Sequence, residues 1–184
     1  MTTHPSDTRR FLECARRPDE PATLAFAGVI GQALINHRRP LIRGLSEARF
    51  QKLLNEHFVL EALFPNGEEN PGVDSGDEYA DLVKLLLEHR ATPTEQDAWL
   101  AYAVASAAMG ENHLWQDMGL PSRKVLSDLM AKHFPVLAAK NVGDMKWKKF
   151  FYRQLCEQAG VPICKSPHCA ECSDYGNCFG SEDV

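Results

Sequence analysis

Residues 23–37 read TLAFAGVIGQALINH, and this stretch decides the fold class. It is rich in Ala, Leu and Ile, shows no alternation of apolar and polar residues, and stops at Arg38-Arg39-Pro40. That combination predicts a helix. Its apolar part, Leu24 to Ile35, is too short to cross a bilayer and is interrupted by Gly28, Gly31 and Gln32. The segment therefore reads as a core helix, and no membrane association is expected.

The same period recurs outward from it. Ser46 to Leu63 carries Phe50, Leu53, Leu54 and Phe58 at helical spacing, and Tyr79, Leu82, Val83 and Leu86 repeat the pattern before His89 and Arg90. Thr94 with Asp97 forms a capping-box signature opening Thr94 to Met109, with Gly110 as a stop. Ser122 to Phe134 sets Val125, Leu126, Leu129 and Met130 on one face, and Pro135 is read as its end. Met145 to Gln158 is the last expected helix, closed by Gly160 and Pro162. No segment alternates as a strand does. Phe64 to Asp77, with its prolines, glycines and acids, reads as an acidic connecting loop without the ligand spacing of an EF-hand. The expectation is an all-α protein: a single helical domain with an irregular C-terminal cysteine-rich metal-binding loop. It divides into a flexible N-terminal arm (1–20), a helical body (21–160) and a cysteine-rich tail (161–184).

A chain of 184 residues, 44% apolar and 24% charged, can bury a core without cross-links. Its net charge of −5 argues against a broad nucleic-acid surface. Met1 to Arg17 has no apolar leader segment, so a reducing, cytoplasmic setting is expected. In that setting clustered cysteines bind metal or do redox work more often than they form disulfides.

Four of the six cysteines, Cys164, Cys169, Cys172 and Cys178, follow C-x4-C-x2-C-x5-C at the end of the chain. Thiolates this close can converge on one soft metal centre. The first three share the spacing of plant-type ferredoxins, whereas C-x2-C is also a common zinc half-site. Spacing alone leaves iron–sulfur and zinc open. Lys165-Ser166-Pro167 and Ser173 to Asn177 are turn formers, and the tail is expected to have little core of its own and to order around a metal. His168, inside the loop, and Cys156, just before it, are candidate extra ligands, each with a blander reading as a solvent-facing histidine and a small buried hydrophobe.

Upstream, residues 145–153 read MKWKKFFYR, with no acid. Trp147, Phe150, Phe151 and Leu155 form a docking stripe, while Lys149, Arg153 and Cys156 share another face. Lys146, Lys148, Lys149 and Arg153 are candidate charge partners for an anionic cluster or an oxyanion such as molybdate, against the plainer reading of a solvated basic face. His113 and Asp117, at i and i+4, allow a metal pair but read better as a surface hydrogen bond. His57 and His133 read as packing residues. No nucleophile–base constellation or phosphate loop is present, so a conventional catalyst is not expected.

The runs MKWKKFFYRQLCE (145–157), CKSPHCAECSDYGNCFG (164–180) and HLWQDMGL (113–120) resemble the NifQ family of nitrogen-fixation accessory proteins. The resemblance implies an iron–sulfur cluster able to incorporate molybdenum, held by Cys164, Cys169, Cys172 and Cys178. It implies molybdate as the source, and donation of molybdenum to iron–molybdenum cofactor assembly on the NifEN scaffold with the NifH iron protein. Three rival readings remain, one of them a ferredoxin-like electron carrier, which would need reversible redox cycling without metal loss. A zinc-stabilised interaction module uses the same cysteines. Iron–sulfur DNA-repair glycosylases are also helical and end in C-x2-C-x5-C, but the acidic balance and the x4 first gap disfavour them.

Overall fold

The computed structural model describes residues 6–59, 76–161 and 171–182. The described helices are α1 (Ser6–Glu13), α2 (Pro21–Ile35), α3 (Glu47–His57), α4 (Gly76–Glu88), α5 (Glu95–Ala108), α6 (Leu114–Asp117), α7 (Arg123–His133), α8 (Pro135–Lys140), α9 (Trp147–Gln158) and α10 (Tyr175–Phe179). Among the described residues the one β pairing is an isolated bridge between Ala15 and Phe58. The all-α expectation thus holds for them. Cys164, His168 and Cys169 lie outside the described residues, so the loop's metal-binding form is not part of this fold description.

Two helices make the centre. α2 buries residues around its whole circumference, among them Ala22, Ala25, Phe26, Val29 and Ile30, and α5 does the same with Trp99, Leu100, Ala103, Val104 and Ala107. A helix apolar on all sides must be enclosed. α1, α6 and α7 pack on α2, and α4 packs on α5. Side-chain caps open three helices. Ser46, Thr94 and Ser122 accept from the backbone N–H of Arg49, Asp97 and Val125. Half of the Thr94–Asp97 capping box is therefore present; the Asp97 carboxylate turns instead to Thr92 and His133.

Three sequence expectations are corrected. The N-terminal arm is not loose from residue 6 onward. α1 buries Thr8 and Phe11, and Thr8 sits in the notch left by Gly31 on α2. Val59 N–H then donates to Cys14 and Arg16 N–H to His57, tying the arm to the end of α3. That helix stops at His57, well short of the expected end at Leu63, because Phe58 turns extended and is buried against Phe11, ring centroids 5.4 Å apart. Pro135 opens α8 rather than ending the helical run, a position where its missing N–H costs nothing.

One close approach fixes the position of the turn after α6. A Cβ on Gly28 would run into the Met118 carbonyl, and Gly119, at φ +61°, lies against Gly28 Cα. Only a pair of glycines lets this turn rest directly on α2. That contact sets the place of Asp117.

Candidate functional site

The three family-like segments converge. α9 docks through Trp147, Phe150 and Phe151, all buried, with Trp147 edge-on to Phe150 at 5.7 Å. The expected docking stripe is present, Leu155 being only partly buried. From this helix Lys148 Nζ reaches across to the 113–120 segment. It donates to Asp117 Oδ2 at 2.6 Å and to the Gly110 carbonyl at 2.8 Å. Asp117 also accepts from Asn112 N–H at 3.0 Å and Asn112 Nδ2 at 3.1 Å. Its carboxylate is thus buried and fully partnered.

The end of the tail closes onto the start of α9. Lys146 N–H donates to the Cys178 carbonyl at 2.8 Å, so the backbone of one expected ligand is fixed to the residue that caps the helix. Phe179 covers Gly143, where a Cβ would meet its ring at 3.0 Å, and stacks on Tyr175 at 4.6 Å. Glu182 is buried between His113 Nδ1 at 3.4 Å and Arg123 Nη1 at 3.5 Å. Arg123 in turn donates to Asp144 and to the Met145 carbonyl. Residues 171–182 therefore have protein contacts of their own. Part of the Ser173–Asn177 turn run is the one-turn helix α10.

Cys172 precedes α10 and Cys178 lies within it, both as half-buried free thiols. The remaining two expected ligands, Cys164 and Cys169, and His168 lie outside the described residues. As a donor set, four thiols so closely spaced in sequence fit a soft metal or an iron–sulfur centre. Cys156 is also half-buried, but among the described residues it does not join Cys172 and Cys178 in a three-donor group.

The expected basic partners divide. Lys148 turns to Asp117, with which it pairs at 2.6 Å. Arg153 pairs with Glu157 at 2.8 Å on the surface and lines a groove with Phe150, Gln154, Gly143 and Phe179. Lys149 is exposed and borders a different groove with Phe151, Tyr152 and Leu155. Lys146 is half-buried at the helix start. His113 and Asp117 are not a pair either. α6 is a single turn with His113 as its cap, and each finds a different partner.

The other titratable groups serve the core. His57 bonds Thr23 Oγ1 at 2.8 Å among Phe26, Phe58 and Trp99. Burial lowers its pKa to about 4, against the opposing pull of Glu20. His133 Nδ1 bonds Asp97 Oδ1 at 2.8 Å. Burial pushes the Asp97 carboxyl up, but its bonds from Thr92 and His133 more than offset that and hold it below its ordinary value. Both histidines are packing residues, as expected. Arg123 and Glu182 were not expected from the sequence, because a pairing between residues so far apart in the chain has no local signal.

The NifQ family model matches residues 25–180. The chain is 48% identical over 159 residues to the Protein NifQ of Azotobacter vinelandii, covering 78% of this chain and 80% of that protein. It is 40% identical over 139 residues to a Protein NifQ homolog of Sinorhizobium fredii, covering 75% of this chain and 60% of the relative. It is 40% identical over 129 residues to the Protein NifQ of Rhodobacter capsulatus, 67% of this chain and 72% of the relative. No solved structure gives a significant match. Among the described residues no helix is long and apolar enough to cross a membrane.

Proposed function

This chain belongs to the NifQ family of nitrogen-fixation accessory proteins, and we propose that it carries molybdenum for assembly of the iron–molybdenum cofactor of nitrogenase. The cargo is a molybdenum–iron–sulfur unit on Cys164, Cys169, Cys172 and Cys178, built from an iron–sulfur cluster and molybdate. The recipients are the cofactor-assembly proteins, the NifEN scaffold with the NifH iron protein, in the cytoplasm. The protein acts as carrier and donor, not as a conventional catalyst.

The observation that carries this reading is the backbone bond from Lys146 to Cys178. It joins the cysteine segment to a helix locked into the body by Lys148–Asp117. A carrier needs this division: one anchored edge, and thiols at the margin where a partner can reach them. Four thiolates around iron and sulfide are anionic, and the cationic side chains of Lys146, Lys149 and Arg153 in the same basic run lower the cost of holding that charge and attract molybdate.

The test is composition. The protein is purified without oxygen from cells supplied with iron and molybdate, then assayed for iron, molybdenum, zinc and acid-labile sulfide, with an electron paramagnetic resonance spectrum. The expected result is a coloured protein with iron, sulfide and molybdenum. A colourless protein with one zinc and no sulfide contradicts the reading and favours the interaction module.

A further inference from the structure

The segment RRPLIR, residues 38–43, returns from α2 toward α5 and lines a cavity of about 60 Å³. Arg38, Arg39 and Arg43 all contribute to its wall, with Ser106 of α5 and the Asp117 carboxylate. Allowing roughly 10–15 Å³ for each water, this space holds about four to six waters, or one small oxyanion. Three arginines around so small a space, in a protein of net charge −5, concentrate positive charge against the trend of the whole chain.

Arg38 is the informative member. Its backbone N–H is fixed to the Ala33 carbonyl at 2.8 Å, yet its side-chain Nε is buried without a hydrogen-bond partner. A buried guanidinium donor left unsatisfied is costly, and an acceptor that enters the cavity removes that cost. The rest of the wall is prepared. Ser106 Oγ accepts from Arg43 N–H at 2.9 Å and donates to the Tyr102 carbonyl at 2.8 Å, which holds the 38–43 turn on α5. The one carboxylate in the wall, Asp117, is neutralised by Lys148 at 2.6 Å and turned to Asn112. Its charge does not stand uncompensated against an incoming anion.

We propose that this cavity is a binding site for a small tetrahedral oxyanion, separate from the cysteine tail. Arg38 supplies the principal charge-assisted hydrogen bonds, and Arg39 and Arg43 complete the field. Asp117 is a wall of the cavity and also the partner of Lys148 on α9. Occupancy is thereby linked through one carboxylate to the helix that anchors Cys178. Assignment of the oxyanion as molybdate rests on the carrier function proposed above; the oxyanion class rests on the cavity alone.

Equilibrium dialysis of the full chain against molybdate, sulfate and phosphate at low ionic strength tests this, with circular dichroism confirming that each variant is folded. Wild type should bind molybdate, and Arg38→Gln and Arg43→Gln should each weaken binding by about tenfold or more, Arg38→Lys by less. Cys156→Ala, outside the proposed cargo ligands, should bind as wild type does. Equal binding by folded Arg38→Gln and wild type overturns the site. Equally tight sulfate and phosphate support the oxyanion cavity and overturn its assignment to molybdate. Protein that loads molybdenum and iron in cells but binds no oxyanion at the arginines refutes this site and leaves the carrier function standing. Oxyanion binding without any iron–sulfur loading does the reverse.

Discussion

The α2–α5 centre and the α9–tail margin use polar residues in opposite ways. In the centre, polar side chains are buried and paired so that the core closes. Thr23 bonds His57 and Asp97 bonds His133. At the margin, polar and charged groups join segments far apart in sequence. Lys148 meets Asp117, Glu182 meets His113 and Arg123, and the Lys146 N–H holds Cys178. The contrast teaches where chemistry can reside. A polar group enclosed by core packing is out of reach of a ligand. Cys178 and the basic run of α9 are joined at an edge, away from the α2–α5 centre.

The comparison breaks if centre and margin respond alike to substitution. The largest effect should come from Trp99→Ala, which empties a fully buried site. It should cost about 3–5 kcal/mol in a urea titration and lower metal content only in proportion to folded protein. Asp97→Ala should follow at about 3 kcal/mol, because it strands His133 and Thr92 in the core. The Asp97 carboxyl is held below its ordinary 3.8, so its contribution is present above that pH and fades as pH falls below it. His57 acts over a different range. It stays neutral in the fold down to about 4 but protonates near 6.5 when unfolded. Wild-type stability should therefore fall as pH drops from 6.5 toward 4, and His57→Gln should flatten that slope.

At the margin the effects on stability shrink and those on cargo grow. Lys148→Met should cost about 2 kcal/mol by stranding the Asp117 carboxylate, and it should also lower molybdenum per folded chain, because that carboxylate then faces the arginine cavity uncompensated. Arg153→Gln should cost less than about 1 kcal/mol, since its pair with Glu157 is exposed. The same variant should lower the molybdenum-to-iron ratio. An unchanged ratio removes Arg153 from the capture role.

The helical body was legible because its signals are local. The cap residues Ser46, Thr94 and Ser122 stand where helices begin, and the apolar period names Phe50, Leu53, Leu86, Leu126 and Leu129 as core. What escaped depends on contacts across the chain. α1 has one short apolar patch, and its burial is decided by the Gly31 notch. The i, i+4 spacing of His113 and Asp117 misled because α6 is too short to present a face. The basic run 146–149 looked like one unit, yet Lys148 turns inward to Asp117 while Lys149 remains outside. Arg38 and Arg39 read only as a helix break, although with Arg43 they put three arginines within six residues, a compositional signal that a search for anion sites would catch.

The central claim is that the tail thiols hold cargo and Cys156 does not. It is tested most directly by iron, sulfide and molybdenum content in anaerobically purified Cys172→Ala and Cys156→Ala beside wild type. Cys172→Ala should lose most of all three while remaining folded, and Cys156→Ala should keep them. Full iron and molybdenum in Cys172→Ala would contradict it.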